Sequence, residues 1–283
     1  MPTFTNKATL SYNGGTIDSN TVTGTFLESL SITKTALVDS YSEGTRISYV
    51  ISIVNSGSTS FSNLTFTDDL GAYPFGADTL YPLTYVDGSL LYYINGILQP
   101  APTPATTQPI SINGISVPAG ANVTLAYSAD ANQFASPEVD GSIINTASLN
   151  GTGLAESVTA TETVFSADGP ILSITKALCP TTVAENGVIT YTLTIQNSGN
   201  TDAVATDNIS VTDTFDPILN NITVTLNGTP LTLGTDYTYD EATGVFSTTQ
   251  GVITVPAATY TREPDGSFVV TPGQSILVIT GNI

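Results

Sequence analysis

The pentapeptide LSITK stands at Leu30–Lys34 and again, unchanged, at Leu172–Lys176, 142 residues further on. The chain has only three lysines, Lys7, Lys34 and Lys176, so two of the three share one local sequence. Leu30, Ile32 and Lys34 alternate with Ser31 and Thr33, and in a strand of period two that alternation places the lysine on the apolar face. A lone buried ammonium is costly unless it is paired or neutralised. Each copy therefore requires an inward partner for its lysine.

The parallel extends downstream of both copies. SEGTRISYVISIVNSGS at Ser42–Ser58 matches AENGVITYTLTIQNSGN at Ala184–Asn200, LTFTD at Leu64–Asp68 matches ISVTD at Ile209–Asp213, and VPAGANVTLAY at Val117–Tyr127 matches VTPGQSILVIT at Val270–Thr280. Asn95-Gly96 and Asn227-Gly228 read as hairpin turns. Short strands between turn signals, doubled at long period, predict an all-β chain of two tandem Ig-like β-sandwich domains over 30–167 and 168–283. Pro100–Pro109, with four prolines, reads as a loop insertion in the first.

Composition narrows the partners. Five basic residues against 24 acidic ones give a net charge of −19, which repels nucleic acid and anionic lipid. With 40% hydrophobic and 10% charged residues the chain is not a disordered acidic tail. There is no histidine and a single cysteine, Cys179, which removes His-based triads, the usual zinc sites and any intrachain disulfide. No signal peptide and no apolar run long enough to span a membrane is visible. No cofactor or metal is expected.

The two repeats are cut out of phase. The first continues past Tyr127 through SIINTASLNG (Ser142–Gly151) and SVTATETV (Ser157–Val164), whereas the second stops three residues after Thr280. FTNKATLSYNG (Phe4–Gly14) and NTVTGTF (Asn20–Phe26) precede the first LSITK, with Asn6, Ala8 and Leu10 aligned on Asn145, Ala147 and Leu149. The expectation is that the second domain lacks its closing strands and that segment 1–29 supplies them to a neighbouring subunit by donor-strand complementation. Phe4, Ala8 and Leu10 would then be the apolar donor residues. Because donor and slot are different surfaces, the contact propagates head to tail into a homopolymer.

Phase also gathers three polar residues on each core face. Leu64, Phe66 and Asp68 are in phase, as are Ile209, Val211 and Asp213. Ile143, Asn145, Ala147 and Leu149 share a face, as do Phe4, Asn6, Ala8 and Leu10, leaving Lys7 on the solvent side. Lysine, acid and asparagine meeting in an apolar core meet the requirement for an isopeptide bond. Desolvation favours the neutral amine and the protonated carboxyl, the amine attacks the carboxamide carbon, the acid shuttles protons and ammonia leaves. The trios are Lys34, Asp68 and Asn145 within the first domain, and Lys176, Asp213 and Asn6 between subunits. A buried Lys–Asp ion pair capped by Asn needs the same residues, and spacing alone does not separate the two.

With SITK, YVISIVNSGS, LTFTD, VPAGANVTL and INTASL in view, the chain resembles the conserved-repeat Ig-like domain of bacterial and archaeal surface proteins, domain of unknown function eleven. It is also similar to isopeptide-forming pilin and adhesin domains. The resemblance implies an extracellular stalk on a cell wall or spore, and would give Lys34, Asp68, Asn145 and Lys176, Asp213, Asn6 the isopeptide roles. The absence of a sortase-type sorting signal favours a self-assembling filament, pilus-like or a spore appendage, over wall-anchored assembly; the anchoring protein is unspecified. No enzyme activity is expected beyond autocatalytic bond formation. The alternative is a monomeric surface adhesin, a carbohydrate-binding module or a stalk fragment of a longer repeat protein.

Other clusters are weaker. DYTYDEATGVF at Asp236–Phe246 groups carboxylates but lacks the ligand spacing of a calcium loop and reads as a hairpin turning at Asp240–Gly244. Asp68-Asp69 has no second carboxylate placed to act across a substrate. The thirteen tyrosines fall at strand spacing and read as cross-strand packing.

Overall fold

A computed structural model describes residues 3–25 and 29–283. Met1, Pro2 and Phe26–Glu28 of the expected donor segment lie outside the described residues. The chain is all-β; one short turn of 3-10 helix, Ala205–Asp207, is the sole helical element among the described residues. Two compact units divide it, one holding residues up to 136 with 141–166, the other 137–140 with 167–283.

The N-terminal stretch folds into a two-stranded ribbon. Strand β1 (Thr3–Asn6) pairs antiparallel with β4 (Val22–Thr25), and β2 (Thr9–Tyr12) with β3 (Gly15–Asp18), closed by Asn13-Gly14. Residues 7–8 face 19–21, an inequality of one residue that breaks the expected continuous strand and shifts the register as a bulge does. Ala8 and Ser19 hold the break by exchanging two hydrogen bonds.

The rest of the first unit is a sandwich of two six-stranded sheets. One sheet holds β5 (Leu30–Ala36), β7 (Arg46–Asn55), β11 (Leu83–Tyr85), β12 (Leu91–Ile94), β13 (Ile97–Gln99) and β16 (Asn122–Ala131). The other holds β6 (Ser40–Tyr41), β8 (Phe61–Asp68), β14 (Thr106–Thr107), β15 (Ile110–Val117), β17 (Ser142–Asn150) and β18 (Val158–Ser166). A small hairpin, β9 (Tyr73–Phe75) with β10 (Asp78–Leu80), lies outside both. The proline-rich stretch is loop up to Ala105, then enters the sheet edge through β14. Alternation builds the core: Ile47, Tyr49, Ile51 and Ile53 from β7 meet Leu64 and Phe66 from β8 and Ile143, Ala147 and Leu149 from β17. Asn95 and Gly96 both have positive φ, as the β12–β13 turn requires.

In the second unit, one sheet runs β19 (Leu172–Cys179), β20 (Val188–Asn197), β28 (Gly273–Asn282), β22 (Asn220–Leu226) and β23 (Thr229–Pro230). The facing sheet has three strands, β21 (Thr212–Thr214), β25 (Val245–Thr248) and β24 (Tyr237–Asp240). β24 and β25 form the hairpin expected at Asp240–Gly244, and β26 (Thr259–Arg262) pairs with β27 (Phe268–Thr271) apart. The repeat alignment slips by one residue near β28: Tyr127 faces Tyr49 across β16–β7, and Ile279, not Thr280, faces Tyr191 across β28–β20.

Buried asparagines brace the same bend in both units. Asn55 donates to the carbonyls of Thr59, Val117 and Pro118 and accepts from the Gly57 amide. Asn197 donates to the Thr201 carbonyl and accepts from the amides of Gly199 and Ile171.

Candidate crosslinking sites

Lys34 reaches inward from β5 and Asp68 from the end of β8. Lys34 Nζ donates to Asp68 Oδ2 at 2.6 Å, and both side chains are 0% exposed. The chain turns sharply after Asp68 through Leu70 and Gly71, both at positive φ, and the Leu70 amide donates to Asp68 Oδ1 at 3.1 Å. Burial pushes the Lys34 amine down and the Asp68 carboxyl up, each opposed by the other's charge. Both directions favour the neutral pair, a free amine beside a protonated acid. Lys34 Nζ also lies 4.7 Å from the centroid of the Tyr49 ring.

Asn145 points into the same pocket from β17. Its Nδ2 donates to Tyr127 Oη at 3.1 Å, and burial, with the Asp68 carboxylate nearby, pushes the Tyr127 hydroxyl up. Asn145 Oδ1 is buried without a hydrogen-bond partner, as is Tyr49 Oη. Asp69 fixes the position of β17: its Oδ1 accepts from the Thr146 amide at 2.8 Å, and its own amide donates to the Thr146 carbonyl at 3.0 Å. Lys34, Asp68 and Asn145 thus converge around the stacked rings of Tyr49 and Tyr127.

Neither Tyr127 nor Asp69 stands out in the sequence reading. Tyr127 resembles any core tyrosine at strand spacing. Asp69 is visible as half of a carboxylate pair, but its task is to clamp the residue after Asn145. The pairing Ala147↔Asp68 across β17–β8 is what places it there.

The second unit repeats half of this arrangement in the open. Lys176 Nζ donates to Asp213 Oδ2, with side-chain exposures of 39% and 17%. The ammonium lies 4.4 Å from the Tyr191 ring centroid and 5.3 Å from that of Phe215. Leu172, Ile174 and Leu178, in phase with Lys176 on β19, are exposed, whereas Leu30 and Ile32 beside Lys34 are buried. β21 has a neighbour on one side only, so among the described residues no strand stands where β17 carries Asn145.

Asn6 lies on the N-terminal ribbon. Cross-strand pairs share a face, so Phe4 with Gly24, Asn6 with Val22, Leu10 with Ile17 and Tyr12 with Gly15 line one side. Thr3 with Thr25, Thr5 with Thr23, Thr9 with Asp18 and Ser11 with Thr16 line the other. Lys7 joins that polar side, donating to Asp18 Oδ2 at 2.7 Å. Phe4, Leu10, Tyr12, Ile17 and Val22 are all exposed. The ribbon is amphipathic, with its apolar face open to solvent and Asn6 within it.

No family model matches the chain, so the conserved-repeat resemblance gains no support there, and no curated protein matches either. Solved structures resemble it at low identity. The collagen-binding domain of a Staphylococcus aureus adhesin is 14% identical over 50% of this chain and 99% of that one, with a TM-score of 0.31. BcpA, the major pilin subunit of Bacillus cereus, is 13% identical over 96% of this chain and 73% of its own, at 0.36. The pilus backbone RrgB of Streptococcus pneumoniae is 14% identical over 86% and 56%, at 0.34. At such scores these likenesses carry no argument about function.

Proposed function

We propose that this chain is the structural subunit of an extracellular filament on a bacterial cell or spore surface, built head to tail from copies of itself. Residues 1–29 act as the donor segment, 30–167 as a complete Ig-like domain and 168–283 as the acceptor domain. The observation that carries this reading is the amphipathic ribbon: an exposed apolar face bearing Asn6, matching in pattern the β17–β18 hairpin that covers Lys34 and Asp68. Ribbon and hairpin share the series Asn, Ala, Leu at alternate positions, Asn6, Ala8, Leu10 and Asn145, Ala147, Leu149. The surface that wants such a hairpin is the exposed face of β19 beside the free edge of β21. By equivalence with β17–β8, Ala8 pairs with Asp213 and Leu10 with Val211.

Docking then buries Lys176 and Asp213 with Asn6, and the same chemistry serves both trios. Lysine Nζ bonds to asparagine Cγ, the Cγ–Nδ2 bond breaks, and one proton from the amine leaves with Nδ2 as ammonia. Asp68 and Asp213 are the proton shuttles. The protein is its own only reactant and uses no cofactor.

Electron microscopy with intact-mass measurement tests the reading. The full chain should form fibres, and deletion of residues 3–25 should leave short soluble species. The wild-type subunit should weigh one ammonia less than its sequence, with Lys34→Ala restoring the full mass. Normal fibres from the deletion would sink donor-strand assembly, and an unchanged wild-type mass would reduce the first trio to a buried ion pair.

A further inference from the structure

We infer that Tyr127 is a catalytic residue of the Lys34–Asn145 closure, relaying the proton from Asp68 to the departing nitrogen of Asn145. The inference rests on the covalent reading of that trio. The geometry puts the hydroxyl on the atom that must leave: Asn145 Nδ2, not Oδ1, contacts Tyr127 Oη, at 3.1 Å. Asp68 lies near enough to the same hydroxyl to act on its charge, and its Oδ2 accepts from Lys34 Nζ at 2.6 Å. One further hydrogen bond, between Asp68 and the Tyr127 hydroxyl, completes a path from attacking nitrogen to leaving nitrogen through a single carboxyl and a single phenol. The ring is held in place, stacked on Tyr49 at 5.5 Å between centroids and tilted against Tyr85 at 6.2 Å.

The step balances without a further reactant. Attack of neutral Nζ on Cγ gives a tetrahedral centre in which Nδ2 regains a lone pair and ceases to be a mere donor. The hydrogen bond then reverses. Nζ passes a proton to Asp68, Asp68 passes one to Tyr127, and Tyr127 passes its own to Nδ2. The Cγ–Nδ2 bond breaks with its electron pair on nitrogen, ammonia departs, and Asp68 and Tyr127 end as they began. An amide nitrogen is a poor leaving group unless it is protonated, so this last transfer is the one that needs a positioned group.

The second unit provides an internal contrast. Ile279 occupies the position of Tyr127 opposite Tyr191, so the acceptor site has no such hydroxyl on β28. Tyr127 is accordingly a property of the first trio and not of the sandwich as such.

The test follows closure in newly synthesised full-length chain, sampled over time in a cell-free translation and read as the loss of one ammonia. Tyr127→Phe keeps the ring and removes only the hydroxyl. It should slow closure about a hundredfold, the scale of a lost general acid, while circular dichroism stays that of the wild type. Wild-type closure measured across mixtures of light and heavy water should give a bowed proton inventory, as more than one proton moves. Closure of Tyr127→Phe at the wild-type rate overturns the relay, and so does a linear inventory in the wild type, which needs no variant to fold. Wild-type chain that never loses ammonia overturns the covalent reading itself, an outcome distinct from both.

Discussion

A buried acid next to a buried amine behaves differently from the exposed ion pairs elsewhere on this chain. Burial drives Asp68 up, and Lys34 is the main influence pulling it back. Lys34→Met removes that influence and leaves the carboxyl with a folded pKa raised further above its unfolded value of about 3.9. Between those two values the native state holds more protons than the unfolded one, so stability falls as pH rises through the window. The variant's first unit should therefore melt higher at about pH 4 than at about pH 7. The difference should be on the order of 3 to 5 kcal/mol, the cost of an unpaired buried charge. Adding Asp68→Leu should flatten the profile. Calorimetry showing Lys34→Met gaining stability with pH would mean that the carboxyl is not the buried charge. At this scale Lys34, Asp68 and Asn145 were legible because period two assigns a face to each residue of a strand. Tyr127 was not, because its partner depends on which residue of β7 it faces, and a one-residue slip in matching the repeats hid the contrast with Ile279.

Strands and turns were the most legible part of the chain. The Asn-Gly turns, the inward faces of β5, β8 and β17 and the hairpin at Asp240–Gly244 all follow from local pattern. The ribbon was half legible. Its first strand keeps one parity, but the unequal break opposite Lys7 and Ala8 changes the parity of the second, so Ile17 and Val22 share a face despite their spacing. Period-two reading cannot follow a chain through such a break, since each extra residue exchanges inside for outside. The two faces give the ribbon a directional test. Leu10→Asp places a charge on the apolar face and removes a side chain whose burial is worth about 1.5 to 3 kcal/mol. Elongation followed by light scattering should fall at least to the level of the ribbon deletion. Thr5→Asp carries the same charge on the polar face and should elongate as the wild type does. Equal damage from both would mean that charge, not face, governs assembly. A third change probes the shared brace: Asn55→Ala strips hydrogen bonds from three carbonyls and one amide and should cost about 2 to 4 kcal/mol in the first unit's melt.

For the whole molecule, charge sets the condition under which copies would meet in the proposed head-to-tail assembly. The chain carries a net −19, yet residues 3–25 hold only Lys7 and Asp18 and are neutral, so the acidic charge lies in the rest of the chain. Copies so charged repel at long range, and in the proposed assembly the neutral ribbon gains nothing by attraction. Salt shortens the reach of that repulsion from about 30 Å at about 10 mM to about 10 Å at about 100 mM. Elongation should therefore quicken several-fold across that range and then level off, the reverse of the behaviour of oppositely charged partners. Once docked, the joint has a second, salt-independent hold if Lys176 bonds to Asn6. Wild-type fibres returned to about 10 mM salt or boiled in detergent should stay polymeric on a denaturing gel. Asn6→Ala keeps Phe4, Ala8 and Leu10 for docking, so it should form fibres of the same appearance that fall to monomer under either treatment. Asp213→Ala should do likewise, since the amine and amide would meet without their proton shuttle. Wild-type fibres that dissolve to a single monomer band would leave the joint as strand addition alone, held by main-chain pairing and the buried face of the ribbon.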